Sequence, residues 1–83
     1  MGTRERTATL TAYVAARLAN RIEAIRERDD VTLEELAARV GSSKSHMSRV
    51  LSGSYTGMSL GTLVRISYAL GYEPDIKLRP RAV

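Results

Sequence analysis

TLEELAARVGSSKSHMSRVLSG, residues 32–53, is the stretch that decides the fold. Thr32 has the character of a helix N-cap, and Glu35 three residues on completes a capping box. Leu33, Leu36, Ala37 and Val40 then recur at helical spacing and define the apolar face of a short helix. Gly41 tolerates the left-handed conformation that ends such a helix. Ser43 is a second N-cap, opening a helix over about Lys44–Leu51. Its inward side is Met47, Val50 and Leu51. Its outward side is Lys44, Ser45, Ser48 and Arg49, with His46 between the two and Gly53 as the stop.

Working outward, the residues before this stretch carry one long apolar stripe. Leu10, Val14, Leu18, Ile22 and Ile25 predict a first helix of about twenty residues beginning near Thr9 and ending at Arg28-Asp29-Asp30. Residues 1–8 are polar and are expected to be a flexible N-terminus. After Gly53, Ser54, Tyr55, Thr56 and Gly57 form a loop. Ser59 caps a further helix with Leu60, Leu63, Ile66 and Leu70 inward and Gly71 as its stop. Pro74 bars more helix. Residues 75–79, DIKLR, alternate polar and apolar as a short strand does. The domain is expected over 9–71, with 72–83 a C-terminal strand and tail.

Composition narrows the chemistry. The 83 residues allow one modest core, and 43% hydrophobic residues are enough to pack it. There is no cysteine and one histidine, which excludes disulfides and thiolate zinc and disfavours any zinc site. No catalytic carboxylate pair or phosphate-cradling glycine loop is evident, so no enzyme and no cofactor are expected. No apolar run is long enough to span a membrane, and the N-terminus does not read as a secretory signal, so a cytoplasmic location is expected. The net charge of +4 is moderate, but its distribution is informative. Between Leu36 and Tyr72 there is no Asp or Glu, yet Arg39, Lys44, Arg49 and Arg65 are present. The acids gather at 23–35.

Two short helices joined by a tight glycine turn form the supersecondary unit that places its second helix in the major groove of DNA. Helical hairpins with no nucleic-acid role share the turn, so the outward residues matter. Lys44 can donate to guanine O6 or N7, Ser45 can donate or accept, and His46 can do either at a base or phosphate. Ser48 and Arg49 are placed for a phosphate or a flanking base. Ser43 and the loop hydroxyls of Ser54, Tyr55 and Thr56 can hold the sugar–phosphate strand. Each of these has a plainer role as cap, surface charge or connection.

LEELAARVGSSKSHMSRVLSG followed by MSLGTLVRISYALGYEP resembles the Cro/lambda-repressor helix-turn-helix family, also called the XRE type. The resemblance covers about residues 18–74. It implies an all-α, compact four- to five-helix lambda-repressor-like domain, here followed by a short C-terminal β-strand. It further implies a dimer on a pseudo-palindromic operator of double-stranded DNA, base edges read at Lys44, Ser45, His46 and Arg49, and phosphates held around Ser43 and Ser54–Thr56. The chain departs from the family at Lys44, where Gln is frequent, and at His46, where Thr or another small residue is frequent. The base preference is expected to shift, toward guanine through Lys44.

The tail EPDIKLRP resembles that of short antitoxins of the host-inhibition-of-growth type, which bind their own operator and neutralise an RNase toxin. Restriction–modification controller proteins are of similar size. A lone strand has no pairing edge inside an all-helical domain. Its simplest complement is the same strand of a second copy, which makes Ile76 and Leu78 candidate dimerisation residues. The long first helix is the competing dimer surface, and a solvated tail is the competing state of 75–79.

Overall fold

In a computed structural model, residues 2–53 and 57–81 are described. They contain four helices: α1 (Thr3–Arg28), α2 (Leu33–Val40), α3 (Lys44–Val50) and α4 (Leu60–Ala69). This is the all-α architecture that the sequence predicts.

α1 starts at Thr3, earlier than its apolar stripe predicts. Residues 3–8 need no buried face to be helical, because local bonds close the first turns. The Glu5 carboxylate accepts from the Gly2 N–H. Thr7 Oγ1 donates to the Arg4 carbonyl (3.0 Å) and Thr11 Oγ1 to that of Thr7 (2.6 Å). At the other end Asp30 adopts φ 55°, the left-handed region that Asp tolerates better than most residues. The Val31 N–H returns to the Arg26 carbonyl at 2.9 Å. Arg26 clasps this corner, donating to the Val31 carbonyl at 2.9 Å and pairing with Glu23 at 2.6 Å. The Glu23 hydrogen bond raises the Arg26 pKa further above its usual range.

α2 and α3 form as their caps predict. Thr32 Oγ1 accepts from the Glu35 N–H at 3.0 Å, and Ser43 Oγ from the His46 N–H at 3.0 Å. Gly41 sits at φ 76°, and the Ser42 N–H reaches back to the Ala37 carbonyl at 2.8 Å, closing the turn. The core lies where α1, α2, α3 and α4 meet. Leu36, Met47, Val50 and Ile66 are its fully buried side chains, joined by Ile22, Val31, Ala37, Leu51 and Leu70. Leu18, Ile25 and Leu33 pack against it.

Two expectations are corrected. No β-strand occurs among the described residues, and 72–81 have no regular secondary structure. A strand exists through its ladder, and the alternation of 75–79 meets no second edge among the described residues. Ile76 is 64% and Leu78 94% exposed. The chain does anchor the start of this tail, because the Arg28 guanidinium donates to the Tyr72 hydroxyl and stands 5.9 Å from the ring centroid. Second, the apolar stripe of α1 is only half used. Ile22 is buried, but Leu10 (58% exposed) and Val14 (53%) are not, and neither is Leu60 (63%), read from the sequence as inward. A 26-residue helix is about 39 Å long. The chain measures 42 × 23 × 21 Å, so the N-terminal half of α1 outruns the body that could cover it.

Candidate nucleic-acid interface

The candidate reading face is built on α3. Met47 and Val50 are buried on its inner side, and that anchorage fixes the helix's rotation. Lys44, Ser45, Ser48 and Arg49 are therefore exposed on the outer side, with His46 half-buried. Ser43, also exposed, serves as the N-cap, so its hydroxyl is engaged by the His46 N–H. This first turn is the positive end of the helix dipole, which favours an anion, with its His46 N–H already taken by the Ser43 hydroxyl.

The outer side chains are engaged with one another. Arg49 Nη2 lies 3.2 Å from His46 Nδ1, one turn back. The guanidinium can only donate, so His46 Nδ1 is the acceptor in this contact. Ser52 Oγ donates to the Arg49 carbonyl at 2.8 Å, finishing the end of α3. Lys44 Nζ lies 3.0 Å from Glu34 Oε1 in the first turn of α2, and both are largely exposed. No sequence periodicity pairs residues ten apart. The turn at Gly41 does so by bringing the start of α2 beside the start of α3.

The remaining cations of the acid-free span do not join this face. Arg39 donates to the Ala69 carbonyl (3.2 Å) and lies 3.8 Å from Glu35. It lines a groove between α2 and α4 with Val40, Val64, Arg65 and Tyr68, and neither Lys44 nor Arg49 lines that groove. The structure thus brings Ser43, Lys44, Ser45, His46, Ser48 and Arg49 together on one short helix. Ser54, Tyr55 and Thr56, the expected phosphate-holding loop, lie outside the described residues.

A family model described as a helix-turn-helix domain matches residues 17–77. The chain belongs to the helix-turn-helix domain family, of the XRE type. The match takes in the second half of α1, the α2–α3 unit, α4 and the start of the tail. The helix-turn-helix domain is a non-catalytic DNA-binding module with a regulatory role. No curated protein and no solved structure gives a significant match. Among the described residues, no group of three or more His, Cys, Asp or Glu could hold a metal ion. Among them, too, no helix is long and apolar enough to cross a membrane.

Proposed function

We propose that this helix-turn-helix protein is a sequence-specific transcription regulator, a dimeric autorepressor that reads a pseudo-palindromic operator in the major groove. The observation that carries this reading is the division of α3. Its inner residues Met47 and Val50 are buried, and its outer residues Lys44, Ser45, Ser48 and Arg49 are exposed in a span with no acid between Leu36 and Tyr72. Lys44, Ser45, His46 and Arg49 take the base edges. Ser43, Ser48 and the loop residues Ser54, Tyr55 and Thr56 hold the phosphates. A second copy across a two-fold axis sets the half-sites one helical turn apart, about 34–36 Å. Exposed Ile76 and Leu78 are candidate contacts between the copies.

The test is a titration of the purified protein against its own upstream DNA and against shuffled DNA at fixed salt. Specific binding tighter by about a thousandfold or more is expected. Equal affinity for both sequences would overturn the regulator reading. Antitoxin and controller roles remain finer variants of this function. A reading frame for a small RNase beside this one, with a stable complex of the two products, would select the former.

A further inference from the structure

We infer that the face formed by the N-terminal half of α1 and the start of α4 is the contact between two copies of this chain. The inference rests on the dimer reading above and names the surface that reading leaves open. An apolar groove of ≈ 560 Å³ runs between the two helices, walled by Leu10, Val14 and Leu18 on one side and Met58, Leu60 and Leu63 on the other. Leu10, Val14 and Leu60 are more than half exposed, although they have the residue types of a core.

Area argues for a large covering. A compact monomer of 9.1 kDa exposes roughly 4,900 Å². This chain exposes 6422 Å², an excess of about 1,500 Å² over that expectation. A stable protein interface takes about 800 Å² from each partner, so about half of this excess, which α1 shares with the tail, suffices for one. Two segments supply the excess, the start of α1 and the tail 71–81, whose residues are all exposed. Every described residue from 2 to 14 is exposed, so the first three turns of α1 stand clear of the body. Isolated helices of that length are marginal in water, and an apolar stripe on one needs another surface.

The occupant follows from reciprocity. What fits a groove between two helices is an amphipathic helix with apolar residues four apart, and Leu10 and Val14 of a second copy are that. A two-fold axis then covers both copies' exposed residues with one set of contacts. The face is also continuous with the tail. Leu18 and Leu63 line both this groove and the neighbouring one that contains Tyr72, Pro74 and Ile76. The apolar groove therefore adjoins a mixed one, in which Arg21, Glu73 and Asp75 stand beside Ile76.

Charge supplies a signature. Among residues 2–22 the cations Arg4, Arg6, Arg17 and Arg21 face a single acid, Glu5. Arg17 and Arg21 flank Val14 and Leu18 directly. Two copies bring the like charges of Arg4, Arg6 and Arg17 together around the apolar contact, while Glu73 and Asp75 stand beside Arg21 at its far edge. Added salt screens that repulsion and tightens the dimer, whereas it weakens DNA binding. An acidic partner protein on the same face would show the opposite salt response.

The experiment is sedimentation equilibrium of the full chain at about 0.1 M and about 0.5 M salt, a span over which exposed charges become strongly screened. It compares the wild type with Val14→Glu, Leu60→Glu and Ile76→Glu, and circular dichroism monitors helicity. Glutamate suits exposed helix positions, and Leu60 opens α4, where the dipole favours an acid. The expected result is a wild-type dimer tightened by salt. Val14→Glu and Leu60→Glu should each weaken it by about a hundredfold, because every change occurs twice in the dimer. Retained dimers in both variants, with loss in Ile76→Glu alone, would overturn the groove and leave the dimer reading intact. A wild type that stays monomeric at every concentration would overturn both, and the DNA titration would then judge the regulator reading separately.

Discussion

The Lys44 ammonium, at the first position of α3, lies 3.0 Å from the Glu34 carboxylate in the helix before it. Lys44 cannot serve Glu34 and a guanine fully at once. An exposed ion pair contributes about 0–1 kcal/mol, while a well-placed base contact contributes about 1–3 kcal/mol. With Lys44 on a base, as proposed, the operator takes the ammonium from Glu34 at the cost of the pair.

Glu34→Gln should accordingly tighten operator binding. Losing a competing pair of up to about 1 kcal/mol corresponds to no more than about a fivefold gain. The melting temperature should barely move. Fluorescence anisotropy with a labelled operator measures the gain. A weaker complex would mean that Glu34 itself takes part in recognition.

Arg49→Ala should weaken operator binding by about 1–3 kcal/mol if the guanidinium reads a base, with the loss confined to the cognate sequence. If Arg49 holds a phosphate instead, the loss extends to shuffled DNA and the salt dependence falls by about one counterion. Titrations of both DNAs across a salt series separate the two roles. The Arg49 contact with His46, 3.2 Å in the free chain, is broken in either case.

Met47→Ala should destabilise the fold and leave the outer face chemically untouched. Met47 is fully buried, and such truncations cost about 2–5 kcal/mol of a total of about 5–15 kcal/mol. Urea denaturation should show a lower midpoint. Lys44→Ala, made at an exposed position, should instead leave the midpoint near the wild type and reduce DNA affinity. Equal destabilisation by the two changes would contradict the division of α3 into an anchored and a reading side.

Gly41→Ala tests the turn. A Cβ at Gly41 meets nothing within 4 Å, so no clash opposes it. The cost is conformational, because φ 76° disfavours an L side chain by about 1–2 kcal/mol. Gly41→Asn should lose less, since Asn tolerates this region. Thermal melts of the two variants give the order, and a neutral Gly41→Ala would show that the turn does not depend on the left-handed conformation.

Local rules account for most of what was legible. Caps at Thr32, Ser43 and Ser59, each with its expected hydrogen bond, placed three helix starts. These signals act within four residues and need no tertiary knowledge. The stripe of α1 was legible as an apolar face but not as a buried one, because periodicity reports direction and not coverage. Leu10 and Ile22 belong to the same stripe, yet only Ile22 reaches the core that α2, α3 and α4 build.

The candidate site divides in the same way. Residue type and spacing on α3 were enough to name Lys44, Ser45, His46, Ser48 and Arg49, because one turn of helix sets which side chains share a face. Glu34 is not legible as part of the site, since its distance to Lys44 depends on the angle between two helices. A count of charges along the chain does not place each cation on a face. Arg39 and Arg65 belong to the acid-free span, but Arg39 is turned toward Ala69 and Glu35, in a separate groove from α3.

By itself, then, the amino-acid order determined the helices, their caps, the glycine turn and the outward residues of α3, all of which follow from interactions between residues close along the chain. Only the tertiary structure decided which apolar residues the core covers, which charges meet across the turn, and that 75–79 has no strand to pair with among the described residues. Those outcomes depend on where one helix ends relative to another, and burial, ion pairs and ladders all need a second surface that no local pattern supplies.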